Sequence, residues 1–475
     1  MTIRSVMLIA ALSPLLRAVN AQLIPVRTVP LAQGDQFGFL PSANLGMGGV
    51  TIALADTLLD PFSNPARSAL TRRTMFFGSP SVYTVTAGGG RTFPVGALFR
   101  SGAWHGTMAV AIQEISPSHE FQSGFFGGPE LATTSSTVAP SRIPSSEPQT
   151  NRYVATALGR TFESRGLTLA ASAFWSGLRA VDGTDLYYPN SQSVLQHGDA
   201  MDVRLGALKR FANDRSIEAV VVHNRYGLNH EAHFMEFIWD PALRFQVPQD
   251  HMEAGGERSR VLGAQLKYEQ PIADSGWRAG ALFAANRGEQ PQVPHNPILN
   301  VPLAPGHSSA FNVGVGVAKA ARFGRFGIDA IYEPIWERTQ DGSGVNRFRF
   351  SNAILRSGVS RDIPLDASSS FVRFQFGVQL HAINYGLDKH RASGLAVQEQ
   401  SWNEWTHSWG TSLLFPDLQI HYQGRLASGA GRPALNGSNV FTAVDIFAPT
   451  LPTQQQRLQG VKVLTHQFSF SLPMP

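Results

Sequence analysis

The chain has 475 residues, among them 45 Gly and 30 Phe but no Cys. Only 15% are charged while 43% are hydrophobic, so Gly and uncharged polar residues fill places where a soluble chain carries charge. Disulfides and thiol chemistry are therefore excluded, 10% aromatics argue against disorder, and no apolar run reaches the roughly 18 residues of a spanning helix.

The net charge of +5 is spread along the chain without a basic block. Such scatter is the pattern of solvated surface, and a nucleic-acid partner is not expected.

Residues 1–21 read as a secretory signal. Arg4 supplies the positive start, Val6 to Leu16 the apolar stretch, and Val19-Asn20-Ala21 a cleavage site. The mature chain is expected to begin near Gln22.

Residues 22–73 do not alternate, and their centre, Asn44 to Ala66, reads NLGMGGVTIALADTLLDPFSNPA. Gly46, Gly48 and Gly49 permit tight backbone geometry. Asp56 and Asp60 bracket an apolar stretch, and Asn64-Pro65-Ala66 forces a turn that can open a helical one. A segment this apolar must pack against something, and a lumen or its mouth is the surface on offer.

From about Met75, within residues 74–475, strict alternation dominates, the mark of strands with two different faces. Phe311, Val313, Val315 and Val317 alternate with small residues, and Val372, Phe374, Phe376 and Val378 with Arg373, Gln375 and Gly377. Polar faces carry Arg204, Gln265, Lys267, Asp329, Gln379, His381, Asp417, Gln419 and His421, whereas Lys209 is the main charge on an apolar face, close to a strand end. The alternating runs exceed the usual globular strand and match the roughly 9–11 residues that cross a membrane. About 16 candidate strands are counted, those near 75–86, 402–415 and 439–447 being the weakest. Tight turns alternate with long segments at 116–150, 179–198, 225–257, 288–309 and 338–367, as in a barrel with short periplasmic turns and long outer loops. The expected fold is therefore all-β: a transmembrane antiparallel β-barrel with an N-terminal hatch. A soluble sandwich is the alternative.

Two of the long segments are unusually apolar. Phe121, Phe125 and Phe126 lie in one; Phe234, Met235, Ile238 and Trp239 lie in the other, where Met235, Ile238, Trp239 and Ala242 have the spacing of a short amphipathic helix over the mouth. Together they are the candidate ligand-binding residues. Trp104, Tyr153, Trp277 and Tyr332 read as an interfacial girdle. Enzyme signals are thin. Gly306-His307-Ser308-Ser309-Ala310 lacks the closing Gly of a nucleophile elbow, and Asn229-His230-Glu231-Ala232-His233 lacks the spacing of a zinc-protease helix. No enzyme, metal site or cofactor is expected.

The Asn44–Ala66 segment resembles the N-terminal signature of the FadL/TodX family of outer-membrane transporters, in which G-x-G-G and A-x-A-D are followed by N-P-A. Gly46, Gly48, Gly49, Ala53, Ala55, Asp56, Asn64, Pro65 and Ala66 match it in order. The resemblance implies a monomeric barrel of 14 strands, two fewer than counted, plugged by the hatch. It also implies an outer-membrane location, the barrel assembly machinery and membrane lipid as partners, and passive passage of fatty acids or other hydrophobic small molecules. PorV-like members imply an alternative, a secretion-associated or structural surface barrel without transport. Phe468-Ser469-Phe470 has the closing shape of such barrels, although Ser471 to Pro475 extends beyond it.

Overall fold

The computed structural model describes residues 36–85, 88–116, 149–182, 193–273, 275–290, 306–321, 324–341, 344–365, 370–392, 394–433 and 458–474. The expected secretory signal, the expected strand at 439–447, and Phe121, Phe125 and Phe126 lie outside them.

All the strands join one antiparallel sheet. Its first strand, β1, has two stretches, Met75–Gly78 and Ser81–Val85, which pair with the same two neighbours in the same register. The break falls at Ser79-Pro80, because Pro80 has no N–H to give the ladder. The other strands are β2 (Gly88–Ser101), β3 (Trp104–Ser116), β4 (Gln149–Phe162), β5 (Leu167–Leu178), β6 (Ser193–Arg210), β7 (Ser216–Asp240) and β8 (Phe245–Ile272). They continue with β9 (Trp277–Gln290), β10 (Gly306–Ala321), β11 (Gly324–Asp341), β12 (Gly344–Pro364), β13 (Phe371–Arg391), β14 (Gly394–Leu414), β15 (Gln419–Pro433) and β16 (Leu458–Pro473). Each strand pairs with its neighbours in sequence, and β16 closes on β1, which makes a barrel of sixteen strands among the described residues. The count read from alternation is right in number, and the 14 implied by resemblance is too few.

The faces divide as the period of two requires. Phe374 and Phe376 are about half exposed while Arg373 and Gln375 between them are buried; Val315 is 59% exposed and Asp329 on the next strand not at all. An uncovered apolar exterior around a polar, hydrogen-bonded interior is the reverse of a water-soluble barrel, and it identifies a membrane-spanning one of the outer-membrane kind. Among the described residues no helix is long and apolar enough to cross a membrane.

Both ends of the barrel, Met75 and Pro473, pair with each other at the short-turn end, which is periplasmic in barrels of this kind. Trp104 and Trp277 sit there on the outside, with Arg160 and Lys319 over their rings. Lys209, also at that end, donates to the Arg165 carbonyl and lies 5.5 Å from the Phe211 ring. Tyr332 is exposed outward, but Tyr153 faces inward at 2% exposure, so it is no part of a girdle. Asp417 lies in the exposed turn before β15 rather than in the lumen.

At the far end two expected loops are strand instead. Residues 338–367 hold most of β12. Residues 225–257 belong to the hairpin of β7 and β8, whose strands of 25 and 28 residues run far past a membrane's depth. The helix expected at Met235–Ala242 is absent: alternation in the ladder wins over the helical spacing. Met235 and Ile238 fall on opposite faces of the hairpin, and Trp239 sits beside its tip, 58% exposed.

Candidate functional site

Residues 36–73 lie inside the barrel, and the sequence signature sits where they touch its wall. Asp56 organises the segment. Its carboxylate accepts the backbone N–H groups of Ala43 (2.9 Å), Asn44 (3.2 Å), Leu58 and Leu59 (both 3.1 Å) and the Ser42 hydroxyl. Asn44 in turn donates to the carbonyls of Val50 and Ala55. Two turns of chain are thereby tied to one buried carboxylate, which explains an Asp inside an apolar stretch.

Gly46, Gly48 and Gly49 serve close approach and turning. Gly48 and Gly49 have φ of 73° and 71°, the left-handed region that suits Gly. A Cβ on Gly46 would meet Gln375 and the Gly410 backbone at 2.8–3.0 Å. The wall answers with small residues of its own. Register places Gly327, Gly358, Gly377 and Ser408 opposite one another on β11 to β14, and the hatch backbone lies along that row. A Cβ on Gly358 would come 2.1 Å from the Met47 carbonyl oxygen, and one on Gly377 2.1 Å from the Gly48 nitrogen. Gly280 and Gly316, also paired, leave equivalent room for Ile52. Ser408 accepts the Gly48 N–H at 2.8 Å, and Asp329 accepts those of Thr51 (2.7 Å) and Ile52 (3.1 Å).

The second half of the hatch is held by charge. Helical turns at Asp60–Ser63 and Pro65–Leu70 are joined by Asn64, whose side chain accepts the Ala66 N–H and donates to Glu218 at 2.9 Å. Pro65 opens the second turn, where its missing N–H is not needed, and Ala66 is sealed against Ala170 and Leu208. Arg67, 5% exposed, is paired with Asp60 and lies 3.0 Å from both Glu218 and Glu269. Lys267 adds a bridge to Glu269 at 2.8 Å and donates to the Thr51 carbonyl at 2.8 Å. Burial pushes the Asp60 carboxyl up to about 7, against the pull of Arg67 and Lys267. For Arg67 the surrounding carboxylates outweigh burial and hold the guanidinium firmly charged.

The start of the described hatch is different in character. Gln36 donates to the Ala180 carbonyl at 2.8 Å, and Gln113 donates to the Gln36 carbonyl at 2.7 Å. Phe39 then stacks 4.5 Å from Tyr153 and 6.4 Å from Phe174. Phe37, Leu40, Leu178 and Leu228 complete an apolar cluster on the inner face of β3 to β7, and Phe62 and Phe77 continue it. Opposite it, on β11 to β15, the inner wall is polar. Sequence reading missed this cluster because nothing local assigns Tyr153 or Phe174, which stands beside the outward Trp175, to the lumen; only the parity of β4 and β5 turns them inward.

Of the sequence-derived ligand residues, Phe234 packs edge-on against His251 across the β7–β8 hairpin. Met235, Ile238 and Trp239 are exposed on it, and the residues expected to face them, Phe121, Phe125 and Phe126, lie outside the described residues. Ser308 lies within β10, paired with Glu337 and Gly288, so no elbow exists there. Among the described residues no group of His, Asp and Glu is placed to hold a metal ion.

No protein-family model and no curated protein matches this chain. Solved structures do. Its fold is like that of TodX. The likeness to that Pseudomonas putida toluene transporter covers 91% of this chain and 97% of the other, at 10% identity and a TM-score of 0.39. The FrpB iron transporter from Neisseria meningitidis aligns over 85% and 82%, at 9% identity and a TM-score of 0.35. CdiB from Escherichia coli aligns over 84% and 63%, at 12% identity and 0.39. The barrel itself stands on the closed strand order of this chain.

Proposed function

We propose that the chain lets hydrophobic compounds cross the outer membrane by passive diffusion, with the hatch as the element that moves. The observation that carries this reading is the aromatic seam between Phe37, Phe39 and Leu40 of the hatch and Tyr153 and Phe174 of the wall. A channel for ions or sugars has a polar lumen, whereas this one sets an apolar face against a plug held by polar contacts elsewhere. An apolar solute gains by entering such a seam and asks for no specific partner. The exposed apolar residues of the β7–β8 hairpin are the proposed first contact.

Uptake of toluene and of oleate by cells producing the protein tests it. The expected result is uptake above that of cells without the protein, falling to that level for Phe39→Asp while the folded, heat-modifiable barrel still forms. Equal uptake with and without the protein would refute transport. One feature favours the second reading, a surface barrel that binds secreted protein: Trp239, Leu243 and Phe245 are exposed together at the tip of a hairpin projecting past the membrane. Deleting 231–254 separates the two, since loss of a retained protein with uptake unchanged supports the scaffold.

A further inference from the structure

The outer face of β7, β8 and β9 is apolar for the depth of a membrane and then turns basic. Val221, Leu262, Leu266 and Phe283 are 46–51% exposed and point outward. Continuing toward the far end, the next outward positions are His223 and Arg225 on β7, Arg260 and Arg258 on β8 and, past the small Ala285, Arg287 on β9, these five all exposed. Register is unbroken along all three strands. It sets Arg225 directly opposite Arg260, and Arg287 opposite Leu262, one outward position from Arg260. Two carboxylates are placed against the cluster by register, Glu289 opposite Arg260 and Asp199 one outward position from the Met201 that faces Arg225, and among the described residues none of the four arginines has an ion-pair partner. On β11 and β12 the pattern repeats, with Arg338 opposite Arg347.

Arg287 stands ten residues beyond the Trp277 girdle. At about 3.3 Å per residue and a tilt of about 40°, that is about 25 Å along the barrel axis, the height of a barrel's apolar band. The arginines therefore lie at the head-group level of the outer leaflet. Like charges directly opposed across strands repel, so the cluster is relieved by an anion, and the guanidinium fork fits phosphate in a bidentate way.

We propose that this face binds an acylated, phosphate-bearing lipid of the outer leaflet. Its phosphate sits on Arg225, Arg260 and Arg287, and its chains lie on Val221, Leu262, Leu266 and Phe283. The apolar patch directly beneath the arginines selects a lipid over a free anion. The site is on the exterior and is independent of the transport reading.

The test is native mass spectrometry of the folded, detergent-purified full chain with diphosphoryl lipid A, phosphatidylethanolamine or inorganic phosphate. Lipid A is expected to stay bound to the wild type and to Arg91→Gln on the opposite wall. Its affinity should fall tenfold or more in the Arg225→Gln/Arg260→Gln/Arg287→Gln variant, as loss of charge-assisted hydrogen bonds requires. Where that variant does not give a heat-modifiable barrel, Arg287→Gln alone should show a smaller loss in the same direction. Undiminished lipid A binding by the variants, equal retention of phosphatidylethanolamine, or displacement by inorganic phosphate would overturn the proposal.

Discussion

Replacing Arg67 by Gln removes the cation at the centre of the hatch while leaving every strand ladder untouched. Arg67 is paired with Asp60, Glu218 and Glu269 and is almost fully enclosed. Glu269 keeps Lys267 at 2.8 Å, and Asp60 can take a proton, but Glu218 is left with the Asn64 amide alone. Uncovering a buried charge in this way costs about 3–5 kcal/mol. That cost falls on docking of the hatch, because it is the hatch that brings Arg67 to the wall. Each 1.4 kcal/mol is a factor of ten, so the open population should rise by about a hundredfold to several thousandfold. Hydrogen exchange followed by mass spectrometry reads this at the amides of Ala43, Leu58 and Leu59, which are bonded to Asp56. Adding Glu218→Gln to the variant should restore much of the protection. Unchanged exchange in Arg67→Gln would show that the ion cluster does not hold the hatch, and the reasoning would fail.

Acidity should tighten the hatch. The Asp60 carboxyl is raised from 3.8 to about 7, so the docked state binds a proton that the undocked state releases, and docking weakens as pH rises across that window. Amide protection in the hatch, corrected for intrinsic exchange, should be greater at pH 5 than at pH 8, and Asp60→Asn should remove the difference. On β13, Gly377→Val should expel the hatch, since its Cβ would lie 2.1 Å from the Gly48 nitrogen; overpacking of this kind costs about 1–3 kcal/mol or more. Gly386→Ala on the same strand, whose nearest atoms are 3.5 Å away, should leave exchange as it is. Asp329→Ala strands the N–H groups of Thr51 and Ile52, at about 1–3 kcal/mol for each unpaired group. Exchange should quicken at those two amides while those bonded to Asp56 stay protected.

The outer face of the barrel was legible because alternation is a local property. Val313, Val315 and Val317 declare one face of β10 without reference to any other strand, and the same holds for Phe374 and Phe376 on β13. The hatch signature was legible as a motif, yet its roles were not. Gly46 and Asp56 read as loop chemistry, whereas they are respectively a wall contact and the acceptor that ties the loop together. The β7–β8 hairpin was misread because Met235, Ile238 and Trp239 satisfy a helical spacing by chance, and pairing with 245–257 outweighs that local preference.

The sequence by itself determined a two-faced strand protein with an apolar N-terminal segment that had to be enclosed, and closure of the sheet decided sixteen strands over fourteen. A low charge beside 43% hydrophobic residues follows from the same cause, since apolar side chains face lipid and Gly, Ser and Asn face inward. Tertiary structure decided which inward residues meet. Glu269 stands 202 positions from Arg67, and Asp329 stands 278 from Thr51. The row of Gly327, Gly358, Gly377 and Ser408 exists only because three successive registers align. Periodicity fixes which way a side chain points; register and closure of the barrel fix what it points at, and those are set by pairings far apart in the chain.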